Sequence, residues 1–386
     1  MRLLAGALAG LVLTAPLAAQ EPWRASYYPY PLKGPNDQLS LVLHYQVGQA
    51  ADYADRVPFG RSFSVEGGIN ASGSRFLITR CKAPRMADGW RLYGEAGATR
   101  ENRFGYFGLG NDTEETDDAD LETNPYSDRV RRSRTYARLD VTRRISGPFH
   151  VAAGVSFTHS SYGSLPGESH FLNDFFPIPP CLPEVEECAR AGSDPGDDDF
   201  AGRVGLVLDT RDDEFVPGRG VLIEAGAEFG SGGQGYSGLY GLASGFATPY
   251  EGAVIAGRFL VRSLQSEAPL DARSTLYAWE RSVPLLGGPE SHRSFVYGRY
   301  TGRQALAANL EYRQDVLNFG DFGAISAVGF FDGGMVQENA DLESNKLHIG
   351  AGAGLAFRIL RSTVLQLNFA GGPDGFQFSM GTGWAF

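Results

Sequence analysis

Asp332, in the run AVGFFDGG (327–334), is the residue of this 386-residue chain that most plainly needs a chemical partner. If the run is a strand, Phe330 and Asp332 share one face, and Ile325, Phe331 and Met335 share the other. An apolar outer face turns the carboxylate inward, where an unpaired Asp is costly and a bidentate Arg is its strongest partner. Arg293, in HRSF, and the strand-borne Arg258 and Arg358 can all supply the guanidinium. A second charged cluster is Asp209, Arg211 and Asp212, followed by Pro217 and Gly220, in LVLDTRDDEFVPGRG (206–220). Asp, Pro and Gly at that spacing fix a turn.

Other chemistry finds little footing. The chain lacks a Gly-x-Ser-x-Gly elbow. His159 and Ser160 are adjacent, and neighbours on a strand face opposite ways, so they form no dyad. No catalytic group, cofactor or metal is therefore expected. Cys181 and Cys188 could form a disulfide in an oxidising compartment, and their surroundings offer no His at metal-ligand spacing. The acidic runs 111–120 and 194–199 read as solvated, with divalent-cation binding beside lipopolysaccharide as the alternative. A net charge of −11 argues against nucleic acid as a partner.

The elements that must carry these residues are strands. MRLLAGALAGLVLTAPLAAQ has one Arg, an apolar run and small residues, the layout of an export signal cut near Ala19, so 1–19 is assigned to it. No later segment holds eighteen consecutive apolar residues, which excludes spanning helices. Alternation places about sixteen strands, near 37–47, 61–70, 75–82, 89–99, 103–110, 129–143, 149–160, 200–210, 219–230, 236–247, 252–264, 305–316, 323–336, 347–360, 362–371 and 375–386. Arg132, Arg134, Arg138 and Asp140 share one face, and Arg258 and Arg262 oppose Ile255, Phe259 and Val261. Arginine is costly on a lipid face, so these faces line a lumen. The fold class is thus all-β, a transmembrane antiparallel barrel over 37–386, with 20–36 as a short periplasmic segment whose Trp and Tyr residues form an interfacial belt. Connections after even-numbered strands, NASGS, RENR, ISGP, DDEFVPGR, TPYE, NFGDF and LR, are short. The longest, 111–128, 161–199 and 265–304, follow odd-numbered strands, and that asymmetry puts them outside the cell.

Four motifs follow in order: LVLDTRDDEFVPGRG; LLGGPESHRSF with NLEYR; AVGFFDGG; and the aromatic ending SMGTGWAF. Together with YFGLGNDT (106–113) the set resembles the barrel of the outer-membrane assembly-factor superfamily, the BamA/TamA-like or bacterial surface antigen proteins. The resemblance implies that the 265–304 loop folds back into the lumen and that Arg293 and Phe295 meet Phe330 and Asp332 as a lock. It also implies that Ser379, Gly381, Trp384 and Phe386 form the signal read by the barrel assembly machinery during biogenesis, through pairing with a strand edge. The family's loop motif has Gly where this chain has Ser294. Full-length relatives carry periplasmic polypeptide-transport domains before the barrel, and 20–36 has no room for one, so a separate periplasmic partner would have to supply that part. The expected surroundings are outer-membrane lipids and lipopolysaccharide. The expected function is membrane insertion, translocation or membrane organisation, with a passive porin or a structural barrel as the alternative.

Overall fold

The computed structural model describes residues 23–33, 38–51, 55–116, 122, 124–163, 165, 196–265, 268–338, 346–359 and 363–386. In chain order the elements begin with β1 (Trp23–Leu32), β2 (Ser40–Ala50), β3 (Phe59–Asn70), β4 (Arg75–Ala87), β5 (Trp90–Gly105) and β6 (Arg129–Ser146). They continue with β7 (Phe149–Gly163), β8 (Gly196–Asp209), β9 (Gly220–Gly230), β10 (Tyr236–Ala247) and β11 (Ala253–Gln265). A short helix α1 (Leu270–Ser274) and a hairpin of β12 (Thr275–Ala278) and β13 (Arg281–Pro284) follow. The last five strands are β14 (Gln304–Asn318), β15 (Gly323–Gln337), β16 (His348–Ile359), β17 (Thr363–Gly372) and β18 (Gly375–Thr382). All strands except β12 and β13 form one antiparallel sheet of sixteen, each paired with its sequence neighbour in the wall. The sheet curls until its ends meet, among the described residues at one isolated bridge, Lys33 with Met380.

Parity decides which way each side chain points. In β11, Arg258 and Arg262 are 3% and 2% exposed, whereas Ile255, Phe259 and Val261 are 43%, 47% and 43% exposed. Leu41, Leu77, Val155, Leu206, Phe331 and Phe369 continue the same outward apolar band around the wall. A greasy exterior over a charged interior is the inverse of a water-soluble fold and matches a barrel solvated by lipid.

The count of sixteen holds, but two strands differ from the expectation, and the differences cancel. Residues 23–32 are the first wall strand rather than part of a segment outside the barrel. Pro29 and Pro31 disguise it, since a strand tolerates them only at an edge. The expected strands at 89–99 and 103–110 are one strand, β5, with its pairing irregular between Glu101 and Phe104. The charged RENR inside it reads as a turn, yet Arg132 Nε donates to Glu101 at 2.7 Å across the sheet. NASGS consequently joins β3 to β4 on the same rim as the long loops, opposite the rim of ISGP, DDEFVPGR, TPYE and NFGDF. Cys181 and Cys188, the 1–19 leader and residues 117–120 of the first acidic run lie outside the described residues.

Candidate functional site

Residues 268–303 run through the interior of the barrel. At their centre Arg293 is 2% exposed. Its Nε and Nη2 donate to the two carboxylate oxygens of Asp332 at 2.9 and 2.7 Å, and its backbone N–H donates to Oδ2 at 3.0 Å. Its Nη1 donates to Glu311, and its guanidinium carbon sits 3.6 Å from the centroid of the Phe330 ring. Strand parity explains the convergence. Asn309, Glu311 and Arg313 face inward from β14, as Phe330 and Asp332 do from β15, and the register sets Asn309 opposite Asp332. Asn309 Nδ2 donates to Asp332 at 2.7 Å and to the Ser291 carbonyl at 2.6 Å, so the amide holds both wall and loop. The other two inward arginines weighed for Asp332 are used elsewhere: Arg258 donates to Asn309 Oδ1 at 2.7 Å, and Arg358 pairs with Asp315.

Around this centre the loop packs by aromatic contact. Phe295 is fully buried, with the His292 ring 4.4 Å and the Tyr300 ring 5.2 Å away, and Tyr300 stacks on His348 at 3.9 Å. Burial pushes the His292 imidazole below its ordinary pKa. Ser294 is fully buried and donates to the Gly371 carbonyl at 3.0 Å. The space it occupies comes from Gly350 and Gly372, where a Cβ would lie 2.5 and 2.7 Å from the Ser294 Cβ.

Below Arg293 the hairpin reaches the far rim. Its tip residue Glu280 has φ 47°, a left-handed conformation rare for a residue with a side chain. Arg91 of β5 holds Glu280 at 2.9 Å and Glu214 of the β8–β9 turn through a pair of bonds at 2.9 and 2.7 Å. Burial raises the Glu280 carboxyl, but Arg91 and Lys82 beside it outweigh that and hold it below its ordinary pKa. Glu224 accepts from the Trp279 backbone N–H at 2.6 Å. Arg138 donates to the Arg281 carbonyl at 2.8 Å and to the Ala278 carbonyl at 2.5 Å.

The Asp209–Gly220 motif builds the turn that meets this tip. Arg211 Nε and Nη2 donate to the two Asp209 oxygens at 3.0 and 3.1 Å, and Arg56 pairs with the same carboxylate at 2.9 Å. Asp212 Oδ1 accepts from the backbone N–H groups of Asp213, Gly218 and Arg219 at 2.9, 2.9 and 3.0 Å. Pro217 is buried in the bend. Gly220 has φ 100°, and a Cβ there would lie 2.3 Å from the Thr210 carbonyl oxygen. Phe215 and Val216 cross the barrel mouth and pack against Phe330, Ala356 and Val364 of the opposite wall.

The end of the chain corrects one expectation. The strand expected at 375–386 would carry Trp384 and Phe386 on the face of Phe376, but β18 stops at Thr382 and Gly383, at φ 85°, turns the chain into the lumen. Trp384 lies 3.9 Å from the Arg313 guanidinium, and Phe386 is 5% exposed beside Arg258 at 5.1 Å. Ser379 and Gly381 stay in the strand, where a Cβ at Gly381 would stand 3.8 Å from the Leu32 side chain. Glu311, Asn309, Arg313 and Arg91 had no assigned role in the sequence. The alternation in NLEYR places the first three on one face and was the available signal; nothing local marked Arg91.

The Omp85 superfamily domain model matches residues 59–384, which leaves β1 and β2 outside the match. Solved structures similar to this chain include BamA from Haemophilus ducreyi lacking POTRA domains 1-3, at TM-score 0.58 and 15% identity, covering 94% of this chain and 70% of that one. CdiB from Escherichia coli is similar at TM-score 0.58 and 13% identity, covering 95% and 63%. CdiB from Acinetobacter baumannii follows at 0.51 and 12%, covering 92% and 59%, so the chain spans less than two thirds of either CdiB. No curated protein sequence matches it.

Proposed function

The chain belongs to the Omp85 superfamily, and from that premise we propose that it acts in the outer membrane by inserting or translocating polypeptide at the seam between β1 and β18. The long-loop rim faces outward, toward lipopolysaccharide, and the short-turn rim faces the periplasm after export directed by the leader. The seam carries this reading. Among the described residues its ends are joined by one backbone bridge, in which Lys33 and Met380 exchange two bonds of 3.0 Å. Every other neighbouring pair has a ladder of at least eight residue pairs, ten in β1–β2 and eight in β17–β18. At about 0.5–1.5 kcal/mol net per bond, breaking the backbone bonds of the seam costs a small part of what breaking those of any other pair would cost. The lumen, in contrast, is occupied by residues 268–303 and by Phe215, Val216 and Trp384. That filling disfavours a passive wide pore and leaves the wall as the route for a client. A cavity of about 710 Å³ opens on the turn rim among Arg56, Arg85, Arg144 and His150. It offers a charged surface to a separate periplasmic partner, and the assembly machinery would build the barrel itself.

The test closes the seam reversibly. Leu32→Cys with Gly381→Cys places thiols where a Cβ at Gly381 stands 3.8 Å from the Leu32 side chain. The purified barrel in proteoliposomes should raise insertion of a urea-denatured outer-membrane client, scored by protease protection, above empty vesicles. Oxidation should abolish the gain and reductant should restore it. Equal insertion by the oxidised and reduced forms rejects the seam as the route.

A further inference from the structure

Both backbone groups of a residue in an antiparallel ladder point to the same neighbouring strand, and successive residues point to opposite neighbours. Lys33 spends both of its groups on Met380. The β1 residues of the same parity, Trp23, Ala25, Tyr27, Pro29 and Pro31, therefore turn their backbones to the seam, while those between them face β2. The side chains agree: Tyr27 stands 77% exposed on the outer face and Tyr30 is 4% exposed within. Proline has no N–H. The two seam-facing positions next to the bridge thus lack a donor, and β2 loses nothing, since Leu43 and Leu41 sit opposite the prolines at positions that need no bond from them. By the register of the bridge, the next seam pair would be Pro31 with Thr382, where Thr382 can donate but receives nothing in return. One residue later Gly383 still gives its N–H to the Val364 carbonyl of β17 at 2.8 Å, and its φ of 85° turns the chain away from the seam. Toward Thr382 the seam cannot zip beyond its bridge.

We propose that Pro29 and Pro31 are specificity determinants that bar strand addition to β1 and direct an incoming segment to the edge of β18. The inference rests on the seam reading above. A strand laid on β1 would set its carbonyls against proline rings in a lipid environment that supplies no other donor. Phe376 and Phe378 of β18 have the parity of Met380, so their intact N–H groups face the seam, and among the described residues neither pairs across it. The segment that fits is an extended polypeptide with alternating apolar residues. Its greasy face would continue the outer row of Phe369 and Phe376, which are 45% and 69% exposed. Edge prolines are a known way of keeping an exposed strand from pairing.

The experiment uses the full chain in detergent micelles, with a photo-crosslinking benzoylphenylalanine at Phe378 or at Tyr27, and a synthetic peptide of alternating leucine and threonine as the probe. Each is made in the native chain and with Pro29→Thr plus Pro31→Thr, and heat-modifiable migration verifies folding. Pro31→Thr alone serves if the double variant does not fold. The native chain should capture the peptide at Phe378 and, on the order of tenfold less, at Tyr27, as two missing backbone bonds imply. The threonine variant should recover capture at Tyr27. Equal capture at both positions in the native chain, or no gain at Tyr27 in the variant, overturns the role of the prolines alone. Capture at neither edge by either chain overturns strand addition at the seam as a whole.

Discussion

The Arg313 guanidinium stacks 3.9 Å from the Trp384 ring and donates its Nε to Glu311 at 2.7 Å. Glu311 also accepts from Arg293. One carboxylate of β14 therefore joins the loop inside the barrel to the segment that turns in after β18. The loop and the segment after β18 thus share one anchor on β14.

Arg293→Ala removes the shared cation from two fully buried carboxylates. Breaking a buried pair of this kind costs on the order of 3–5 kcal/mol. The temperature at which the folded band converts to the unfolded one on a semi-native gel should fall clearly. Arg293→Lys should recover little, because lysine cannot make the paired bonds to Asp332. Unchanged conversion in both variants would remove the proposed lock.

Ser294 should depend on Gly350. Alanine at 350 puts a Cβ 2.5 Å from the Ser294 Cβ and 3.0 Å from the His292 ring. Overpacking of this kind costs about 1–3 kcal/mol. Ser294→Gly added to Gly350→Ala should return much of the loss, read as a non-additive double-mutant cycle on the same gel.

Arg91→Ala should free the hairpin tip from the β8–β9 turn. Glu214 and Glu280 then face each other without the cation they share. Limited proteolysis in micelles should show faster cleavage within 210–219, and single-channel current should become noisier as the mouth loosens. A proteolysis pattern identical to the native one would show that the turn is held by Asp209 and Arg211 alone.

The two rims should label oppositely in whole cells. With Cys181 and Cys188 changed to Ser, Asp198→Cys on the loop rim should react with an impermeant maleimide. Asp88→Cys on the turn rim, whose side chain is 97% exposed, should react only after the outer membrane is breached. The reverse pattern inverts the orientation.

The barrel was legible because its rule is local. Alternation of period 2 needs no knowledge of the partner strand, and Arg258 and Arg262 against Ile255 and Phe259 announce an inside and an outside by themselves. Where the local signal misleads, physical reasons are plain. RENR looks like a turn because its charges are pictured in water, yet Glu101 finds Arg132 across the lumen face. Residues 23–32 look like a loop because prolines are rare in strands, and only a strand whose neighbour is nearly absent can carry two of them.

Asp332 needed a cation by sequence alone, but three arginines could answer it. Which one does is decided by how a loop of some forty residues packs back through the barrel, a contact between residues 39 apart. The second carboxylate, Glu311, arrives by the β14–β15 register, and Arg91 meets Glu280 across 189 residues of chain. Trp384 and Phe386 reverse their apparent face because Gly383 adopts a left-handed φ that no periodicity records. The sequence by itself determined the wall, since each strand states its own two faces. The tertiary structure alone decided the partners inside it, because pairing among buried charges depends on distances set by the closure of the whole sheet.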